Sequence, residues 1–496
     1  MAIHSNLLRE IEEAASGPQI GALFDFDGTI IAGFSVTSFI KERVLSGNLS
    51  VDEVVEEFAA VLSFAAGRIG FSGLIGATSR MMKGVEEQVF IEFGEKVYQK
   101  DVAATVYPEA RQLIQAHLRK GHTVAIISSA TPYQVMPAAR DLDVEHVLCT
   151  ELEVEQGVFT GEVVKPVCWG EGKVDAAERL SAETGADLKQ SFFYSDSHDD
   201  LALLEAVGRP RPLNPNSRLT QVAKRKGWPI RRFGSRGRPG IENILRTAMT
   251  YGTMLPAVAS GIPIWAMTGS RQEATNFSFG LWADYASALG GLKLEVEGEK
   301  YLWAERPAIF VFNHQSAADA IIVAKLIRRD FTGVGKKEIA NIPVVGQLFK
   351  LGGVVLIDRG NKEKAIDAMK PLVDVIKHEG MSIAIAPEGT RTVSPKLTKF
   401  KKGPFHLAMQ AGVPMVPIVI HNALDFLPKG DVFVRPATVK VTVLPPVDTS
   451  TWSAQSIDKH VTDVRNLFLR TLGQVPLLQA VEEHLPPESR SGEAKP

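Results

Sequence analysis

The sequence contains very little cysteine: Cys149 and Cys168 are its two cysteines in 496 residues. So few thiols argue against a disulfide framework and favour a reducing compartment. The sequence also lacks a marked net charge, because 55 basic residues nearly balance 57 acidic ones. A near-neutral chain has no overall positive field for a polyanion, so we expect no nucleic-acid partner. The N-terminus places Glu10, Glu12 and Glu13 before any apolar run, which is not the pattern of a secretory signal.

Length and composition indicate several globular domains. A chain of 496 residues is too long for one hydrophobic core, so two to four domains are expected. The shares of hydrophobic and charged residues, 45% and 23%, are those of an ordinary globular protein. From changes of pattern along the chain we divide it into residues 1–240, 241–289, 290–475 and 476–496. The polar end of the last range, 486–496, is expected to be disordered.

One region combines positive charge with an uncharged apolar run. Between residues 218 and 246, nine Lys and Arg accompany a single acid, Glu242, and residues 247–270 then carry no charge. That run is long enough to span a membrane, but its glycines and prolines disfavour one straight helix. A single span would also put the two halves of the chain on opposite sides. We therefore favour a pair of interfacial helices on the cytoplasmic face of a membrane over a span, and over a solvated linker before a buried helix.

Both halves of the chain alternate short apolar runs with helical patterns, which predicts α/β folds. The first half is expected to form a doubly wound parallel (Rossmann-like) sheet, with a helical insert over about residues 35–100 and ligands at the carboxyl edge of the strands. The second half is expected to form another α/β domain. The predicted strands are residues 20–24, 124–127, 191–194, 308–312, 382–386 and 416–420. The predicted helices include residues 108–120, 172–184 and 454–470.

Two carboxylates follow the first predicted strand in the sequence Asp25-Phe-Asp27-Gly28-Thr29. A phosphate monoester dianion repels nucleophiles, but a carboxylate can attack phosphorus once cations offset that charge. We predict that Asp25 attacks and forms an aspartyl phosphate. Asp27 would protonate the leaving oxygen and then activate water. Gly28 lets the chain turn so that both carboxylates can face one ligand.

The ends of the next two predicted strands, and the predicted helix 172–184 between them, supply further groups for the same site. Ser128 can donate a hydrogen bond to a phosphoryl oxygen, and Lys173 can offset the crowded negative charge. Two more carboxylates come after the third strand. Mg²⁺ is a hard cation that prefers carboxylate and water oxygens. Its predicted ligands are Asp25, Asp27, Asp196 and Asp200.

Taken in this order, these residues resemble the haloacid dehalogenase superfamily of phosphatases over residues 20–230. The insert is similar to that superfamily's helical cap. The nearest branch is that of the phosphoserine phosphatases, although Ser195 stands where that branch usually has glycine. The resemblance implies Mg²⁺-dependent hydrolysis but leaves the substrate open, because the cap selects it. Two candidate substrates remain: phosphoserine, and a phospholipid phosphate such as lysophosphatidate or phosphatidate. The second candidate site of the chain, described next, favours the lipid.

A second candidate site begins in the sequence Asn313-His314-Gln-Ser-Ala-Ala-Asp319. Acyl transfer to an alcohol needs a base for the hydroxyl, and an imidazole oriented by a carboxylate can be that base. Residues five apart do not share a helix face, so His314 is expected just before a helix that carries Asp319 in its first turn. The acceptor hydroxyl would attack the thioester directly, without a covalent enzyme intermediate.

Further motifs follow, and together they resemble the four sequence blocks of the 1-acylglycerol-3-phosphate acyltransferase family over about residues 290–450. One of them is Pro387-Glu388-Gly-Thr-Arg391, preceded by Ala386 where the family more often has an aromatic residue. Arginine forks phosphate bidentately, and Glu388 would bind the acceptor hydroxyl or hold Arg391 in place. Pro417 would shape the wall near the acyl donor. The residues that the resemblance assigns to the glycerol phosphate are Arg359, Glu388, Gly389 and Arg391, with Lys336 and Lys401 as helpers.

The sequence as a whole predicts a bifunctional enzyme of phospholipid biosynthesis. An acyl-CoA or acyl-carrier protein would donate the acyl group, lysophosphatidate would accept it, and Mg²⁺ would serve the phosphatase. The expected partners are a phospholipid membrane surface and these substrates, while a homo-oligomer is left open. Two alternatives remain: a phosphoserine phosphatase fused to an acyltransferase without shared metabolites, and a membrane scaffold in which one domain is an inactive enzyme.

Overall fold

The computed structural model describes residues 2–45, 71–341, 346, 353–357 and 370–474. They belong to two compact units, Met1–Arg238 and Pro239–Pro496. Three expectations from the sequence concern residues outside the described ranges: part of the helical insert (46–70), Arg359, and the polar tail.

The first unit contains a parallel sheet and an antiparallel hairpin. The strands are β1 (Gly21–Phe24), β2 (Thr123–Ile127), β3 (His146–Leu148), β4 (Leu152–Glu155), β5 (Val158–Val163), β6 (Phe192–Ser195) and β7 (Arg209–Pro212). The parallel sheet has the order β3-β2-β1-β6-β7, with β1 buried along its whole length at the centre. This is the doubly wound sheet predicted from the sequence. The hairpin of β4 and β5 was not predicted.

Helices precede, separate and follow these strands. Two begin with a proline in the first turn, where the missing N–H costs nothing, and one of these also has a capping box of Thr131 and Gln134. The described part of the insert is helical, as predicted. The helices are α1 (Ala2–Glu13), α2 (Ser35–Leu45), α3 (Phe71–Met81), α4 (Glu87–Val97), α5 (Pro108–Arg119), α6 (Pro132–Leu142), α7 (Glu171–Thr184), α8 (Leu201–Ala206) and α9 (Ser217–Lys226). Short helical turns occupy Tyr98–Val102, Ala103–Thr105 and His198–Asp200.

The second unit is built on a mixed seven-stranded sheet. Its strands are β8 (Leu292–Glu297), β9 (Ile309–Phe312), β10 (Phe331–Lys336), β11 (Val355–Ile357), β12 (Ser382–Ile385), β13 (Met415–Ile420) and β14 (Ala437–Val443). The order is β11-β10-β12-β9-β13-β14-β8, and only the β13–β14 pair is antiparallel within this described sheet. Buried apolar side chains cover both faces, which explains the continuous hydrophobic runs of β12 and β13.

The helices of the second unit include a group that precedes the sheet. They are α10 (Ile241–Gly252), α11 (Met254–Thr268), α12 (Arg271–Gly290), α13 (Tyr301–Ala304), α14 (Asp319–Ile327), α15 (Lys370–Glu379), α16 (Gly403–Ala411), α17 (Ala423–Phe426) and α18 (Ile457–Thr471). A short turn occupies Lys337–Asn341. In the amphipathic helix α18, Ile457, Val464 and Phe468 face the core as its spacing predicted.

The uncharged run at 247–270 folds into parts of two helices rather than one. α10 ends at Gly252, and α11 continues to Thr268 over 15 residues. The chain then turns at Gly269, and the Ser270 hydroxyl accepts a hydrogen bond from Glu273 N, which starts α12. α11 packs on α12, and α12 packs on α14. Among the helices that the structure describes, none combines the length and apolar character that crossing a membrane requires.

Candidate active sites

The first site lies at the carboxyl edge of the sheet in the first unit. Asp25 directly follows β1, and its N–H donates to the Tyr194 carbonyl at 2.9 Å, which extends the pairing with β6. Its carboxylate is buried and lies 2.8 Å from Lys173 Nζ. Burial raises the pKa of Asp25 to about 7, although the charge of Lys173 opposes the shift. Lys173 therefore holds the predicted nucleophile in place and offsets its charge.

Asp200 also contacts Lys173, so the lysine lies between two buried carboxylates. Its Oδ1 lies 2.8 Å from Lys173 Nζ, and its Oδ2 accepts a hydrogen bond of 2.6 Å from Ser195 Oγ. Although burial opposes it, the charges of Asp200 and Asp25 raise the pKa of Lys173. Both oxygens of Asp200 are thus engaged, so its task in this structure is to hold the lysine. Ser195 stands where the phosphoserine phosphatases usually have glycine, and its hydroxyl donates the hydrogen bond to Oδ2 of Asp200.

Asp27 faces the start of the helical insert. Its Oδ1 accepts a hydrogen bond of 2.7 Å from Ser35 N, and its Oδ2 accepts one of 3.2 Å from Ser35 Oγ. Gln134 in turn donates to Ser35 Oγ at 3.1 Å. Burial raises the pKa of Asp27 to about 6, with the Ser35 bonds opposing the shift. A carboxyl group with such a pKa can both give and take a proton near neutral pH.

Asp196 follows β6 and lies against the turn at Gly28. Gly28 has a φ of +76°, and a β-carbon placed there would come within 2.2 Å of Asp196 Oδ2. Only glycine fits this close approach at this backbone conformation. Burial, followed by the charges of Asp25 and Asp200, raises the pKa of Asp196 to about 8. Ser128 lies at the end of β2 on the same edge, where its N–H donates to the Leu148 carbonyl at 2.9 Å.

The second site lies at the carboxyl end of β9. His314 Nδ1 is 2.8 Å from Asp319 Oδ2, and Asp319 is the first residue of α14, as predicted. The same oxygen accepts hydrogen bonds from Gln315 N at 2.8 Å and Ser316 N at 3.0 Å. Asp319 is fully buried, while the His314 side chain is 23% exposed. The carboxylate therefore fixes both the loop and the imidazole, and the ring reaches the surface of the site.

Glu388 joins two loops of the second site. Its Oε1 accepts a hydrogen bond of 2.8 Å from His314 N. Its Oε2 accepts bonds from the N–H and the hydroxyl of Thr398 at 3.0 and 2.5 Å. The side chain is buried. The sequence predicted a contact with substrate or with Arg391, whereas the two carboxylate oxygens bond to His314 N and to the N–H and hydroxyl of Thr398.

The turn after Glu388 carries the predicted phosphate-binding groups. Gly389 has a φ of +75°, and a β-carbon there would lie 2.7 Å from Lys401 Nζ, so the lysine covers the turn. The Arg391 side chain is half-buried, and Thr392 N donates to the His314 carbonyl at 2.9 Å. Lys336 is the last residue of β10, and Arg359 lies outside the described residues.

Comparisons with known proteins agree with this division into two sites. A haloacid dehalogenase-like hydrolase model matches residues 22–205, and an acyltransferase model matches residues 293–421. A 1-acyl-sn-glycerol-3-phosphate acyltransferase of Limnanthes alba is 37% identical over 191 residues, 38% of this chain and 67% of that protein. A protein of Mycobacterium tuberculosis named as a phosphatase is 32% identical over 253 residues, 50% of this chain and 88% of that protein.

The chain belongs to both families, the haloacid dehalogenase-like hydrolases and the acyltransferases. Among solved structures, the 1-acyl-sn-glycerophosphate acyltransferase of Thermotoga maritima matches with a TM-score of 0.40 at 23% identity, covering 47% of this chain and 97% of that one.

Haloacid dehalogenase-like phosphatases are generally Mg²⁺-dependent, and the carboxyl groups of the phosphatase site fit such an ion in part. Within the described residues, no three His, Cys, Asp or Glu side chains converge as metal ligands. Of the four predicted ligands, Asp27 accepts hydrogen bonds from Ser35, and Asp200 contacts Lys173 and Ser195 through its two oxygens. Asp25 and Asp196 remain, and Mg²⁺ is often held by two carboxylates with water completing the shell.

The sequence did not predict a segment that contacts the Gly28 turn of the phosphatase site. Asn214 follows β7, donates to the Gly28 carbonyl at 3.1 Å, and accepts a hydrogen bond of 2.6 Å from Phe233 N. The Phe233 ring contacts Tyr107 with centroids 5.4 Å apart, and Ser235 donates to Glu109. The position of Asn214 at the carboxyl end of a strand was the available signal. The contacts of residues 233–235 join sequence-distant positions and leave no local pattern.

Replacing Glu388 with alanine should destabilise the acyltransferase unit as well as impair its site. The change removes the acceptor for His314 N and for both groups of Thr398. Hydrogen bonds to charged groups contribute roughly 1.5–3 kcal/mol, so we expect a loss of about 2–4 kcal/mol in the free energy of unfolding. Urea unfolding measures this loss of stability, and Glu299→Ala, a change at an exposed position, is the control. If Glu388→Ala were as stable as the control, the hydrogen bonds of Glu388 would not be needed for stability.

Proposed function

We propose that the chain acylates 1-acylglycerol 3-phosphate to phosphatidate and also hydrolyses a phosphate monoester through an aspartyl phosphate. The donor would be an acyl thioester, acyl-CoA or acyl-carrier protein. The observation that carries the proposal is that each unit holds an assembled catalytic pair. Asp25 is paired with Lys173, and His314 is paired with Asp319. Both pairs argue against a scaffold with one inactive domain.

Acyl transfer would begin at the imidazole of His314. Asp319 accepts a hydrogen bond from Nδ1, which leaves Nε2 free of a proton to act as the base. The hydroxyl of the acceptor would lose its proton to Nε2 as its oxygen attacks the thioester carbonyl. Asp319 then stabilises the imidazolium, and the histidine returns the proton to the leaving thiolate. The half-buried Arg391 would bind the acceptor's phosphate, as arginine does through paired N–H donors.

Phosphate hydrolysis would begin at the carboxylate of Asp25. Its attack on phosphorus forms the aspartyl phosphate and breaks the bond to the leaving oxygen, which takes its proton from Asp27. Asp27 would then deprotonate the water that releases phosphate. Lys173 offsets the charge of the approaching dianion, and Ser128 would donate to a phosphoryl oxygen. Mg²⁺, held by Asp25 and Asp196, would supply further charge compensation.

The surroundings of Asp27 favour a lipid phosphate over phosphoserine. Phe34 and Val36 flank Ser35, the residue bonded to Asp27, and both expose their apolar side chains. Phe34 is 63% exposed. Exposed aromatic and aliphatic groups beside the acid suit a leaving group with an apolar part, such as a glycerolipid. Phosphoserine, a small zwitterion, remains the second candidate through the resemblance to phosphoserine phosphatases.

The helices before the acyltransferase sheet support docking on a phospholipid surface, which we propose for the cytoplasmic face. Exposed apolar side chains on these neighbouring helices suit an interaction surface of this kind. Aromatic residues within it, such as Trp265, suit the membrane interface. The exposed large apolar residues of α10–α12, here called the docking face, are Ile241, Ile244, Leu245, Met249, Tyr251, Leu255, Ile262, Trp265, Met267, Phe277, Tyr285 and Leu289.

Charged substitutions on the docking face should weaken membrane binding. Burying one large apolar side chain contributes roughly 1.5–3 kcal/mol, so the double variant Ile262→Glu, Trp265→Glu should bind vesicles at least about tenfold more weakly. Co-sedimentation with vesicles of phosphatidylcholine and phosphatidylglycerol measures this. Val89→Glu alters an exposed apolar residue of the first unit and is the matched control. Equal binding by all three proteins would remove the docking proposal.

The acceptor specificity tests the acyltransferase part of the proposal. The full chain is given labelled acyl-CoA or acyl-carrier protein with lysophosphatidate, monoacylglycerol or lysophosphatidylcholine as acceptor. Lysophosphatidate should be acylated much faster than the other two, since only it presents a phosphate monoester to Arg391. Equal rates with monoacylglycerol would contradict an acceptor site built for phosphate.

A further inference from the structure

Lys429 contacts the turn that carries Arg391 although it lies outside the motifs that identify the family. Lys429 Nζ donates a hydrogen bond of 2.7 Å to the carbonyl of Arg391. Two residues earlier, the Leu427 carbonyl accepts a bond of 2.6 Å from Ser316 Oγ in the loop of the catalytic histidine. Thr392 N also donates to the His314 carbonyl. These contacts link three chain segments, residues 314–316, 391–392 and 427–429, into one ring.

Three cations lie at or beside this ring: Arg391, Lys429 and, over the turn at Gly389, Lys401. Within the described residues, none of them has a carboxylate oxygen at ion-pair distance. Asp431 is nearby in sequence, but its oxygens accept from Val432 N, Phe433 N and Arg435 Nη1. Among the described residues, the fold therefore brings positive charges together at the turn of Gly389–Arg391 without pairing them with a carboxylate at ion-pair distance.

Such an arrangement costs free energy unless an anion occupies it. Like charges in a partly buried region repel, and desolvation adds to the cost. The side chain of Lys429 is half-buried, and burial, followed by the charge of Arg391, lowers the pKa of Lys429. A bound phosphate would reverse both effects, because it replaces lost hydration with charge-assisted hydrogen bonds.

We infer that Lys429 is a phosphate-binding residue that acts with Arg391 and makes the acceptor site selective for a phosphate monoester. The inference rests on the proposed function, in which lysophosphatidate is the acceptor. A monoester carries roughly −1.5 to −2 charges near neutral pH, which two cations match. A phosphodiester carries about one, so a single cation would serve it. Lys429 thus accounts for discrimination that Arg391 alone would not supply.

The test compares kinetic constants of the full chain and three lysine variants. Lys429→Met removes the charge at similar length, Lys429→Arg keeps it, and Lys440→Met changes an exposed lysine paired with Glu297 as a control. For Lys429→Met, KM for lysophosphatidate should rise at least about tenfold, with kcat and KM for the acyl donor changing less than about threefold. KM for lysophosphatidylglycerol, a phosphodiester, should change far less. Lys429→Arg should restore most of the loss.

Each alternative gives a different result. If KM for lysophosphatidate is unchanged in Lys429→Met, or if KM for the acyl donor rises instead, the inference is overturned. The proposed function would still stand as long as the wild-type chain acylates lysophosphatidate. Failure of the wild-type chain to acylate lysophosphatidate sinks the proposed function itself. Should Lys429→Met fold poorly, Lys429→Gln keeps a donor for the Arg391 carbonyl without the charge. The same rise in KM is expected for it, and rescue to wild-type KM would reduce Lys429 to a backbone support.

Discussion

Replacing Asp25 with asparagine is expected to abolish phosphate release, by at least about 10³-fold. The amide has nearly the shape of the carboxylate but is a poor nucleophile, so no aspartyl phosphate can form. Lys173 would keep its contact with Asp200, which preserves the packing around the site. Phosphate release from phosphatidate, lysophosphatidate and phosphoserine measures the effect on the full chain.

Acyl transfer provides the internal control for this variant. The two sites use separate residues, so the Asp25→Asn protein should acylate at the wild-type rate. Chelating Mg²⁺ should likewise stop phosphate release and spare acylation. Residual phosphatase activity in Asp25→Asn, or release that persists after chelation, would exclude the aspartyl-phosphate mechanism for this chain.

The His314→Ala variant is expected to lose acyl transfer by two or more orders of magnitude. A positioned general base contributes roughly 10²–10⁴-fold, and the imidazole is the group that Asp319 orients. Transfer of a labelled acyl group from acyl-CoA to lysophosphatidate measures the loss. Phosphate release should persist, because no residue of the phosphatase site contributes to this step.

Asp319→Asn tests whether the carboxylate sets the tautomer of His314. The amide can donate to Nδ1, which would place the proton on Nε2 and remove the base. It also weakens the acceptor of Gln315 N and Ser316 N, so the loss should approach that of His314→Ala. Acylation by His314→Ala at a rate close to wild type would mean that another group activates the hydroxyl.

Sequence patterns predicted those parts of the sites that are encoded locally. A strand that is buried on both faces reads as a continuous apolar run, so the positions of Asp25 and Asp196 at strand ends could be derived. The His314–Asp319 spacing likewise predicted a loop followed by a helix, since five residues do not share a helix face. In both cases the chemistry lies within one strand end or one helix start.

Other roles depend on contacts between distant segments, and the sequence did not predict them. Glu388 looked like a substrate ligand because it stands beside Arg391, but the fold aims it at His314 N and Thr398. Asp200 looked like a metal ligand, but Lys173 and Ser195 engage both its oxygens. Which partner a carboxylate finds is set by packing between elements, and spacing along the chain carries no record of it.

In the proposed function, the two active sites of this chain act in succession on a lipid phosphate. The direct measurement incubates the full chain with lysophosphatidate, Mg²⁺ and an acyl thioester, and follows phosphatidate, diacylglycerol and free phosphate over time, with phosphoserine in a parallel reaction. Phosphatidate is expected first, then diacylglycerol with phosphate, and phosphatidate should accumulate in Asp25→Asn. Phosphatidate that accumulates unhydrolysed in the wild type while phosphoserine is consumed would exclude this succession of reactions.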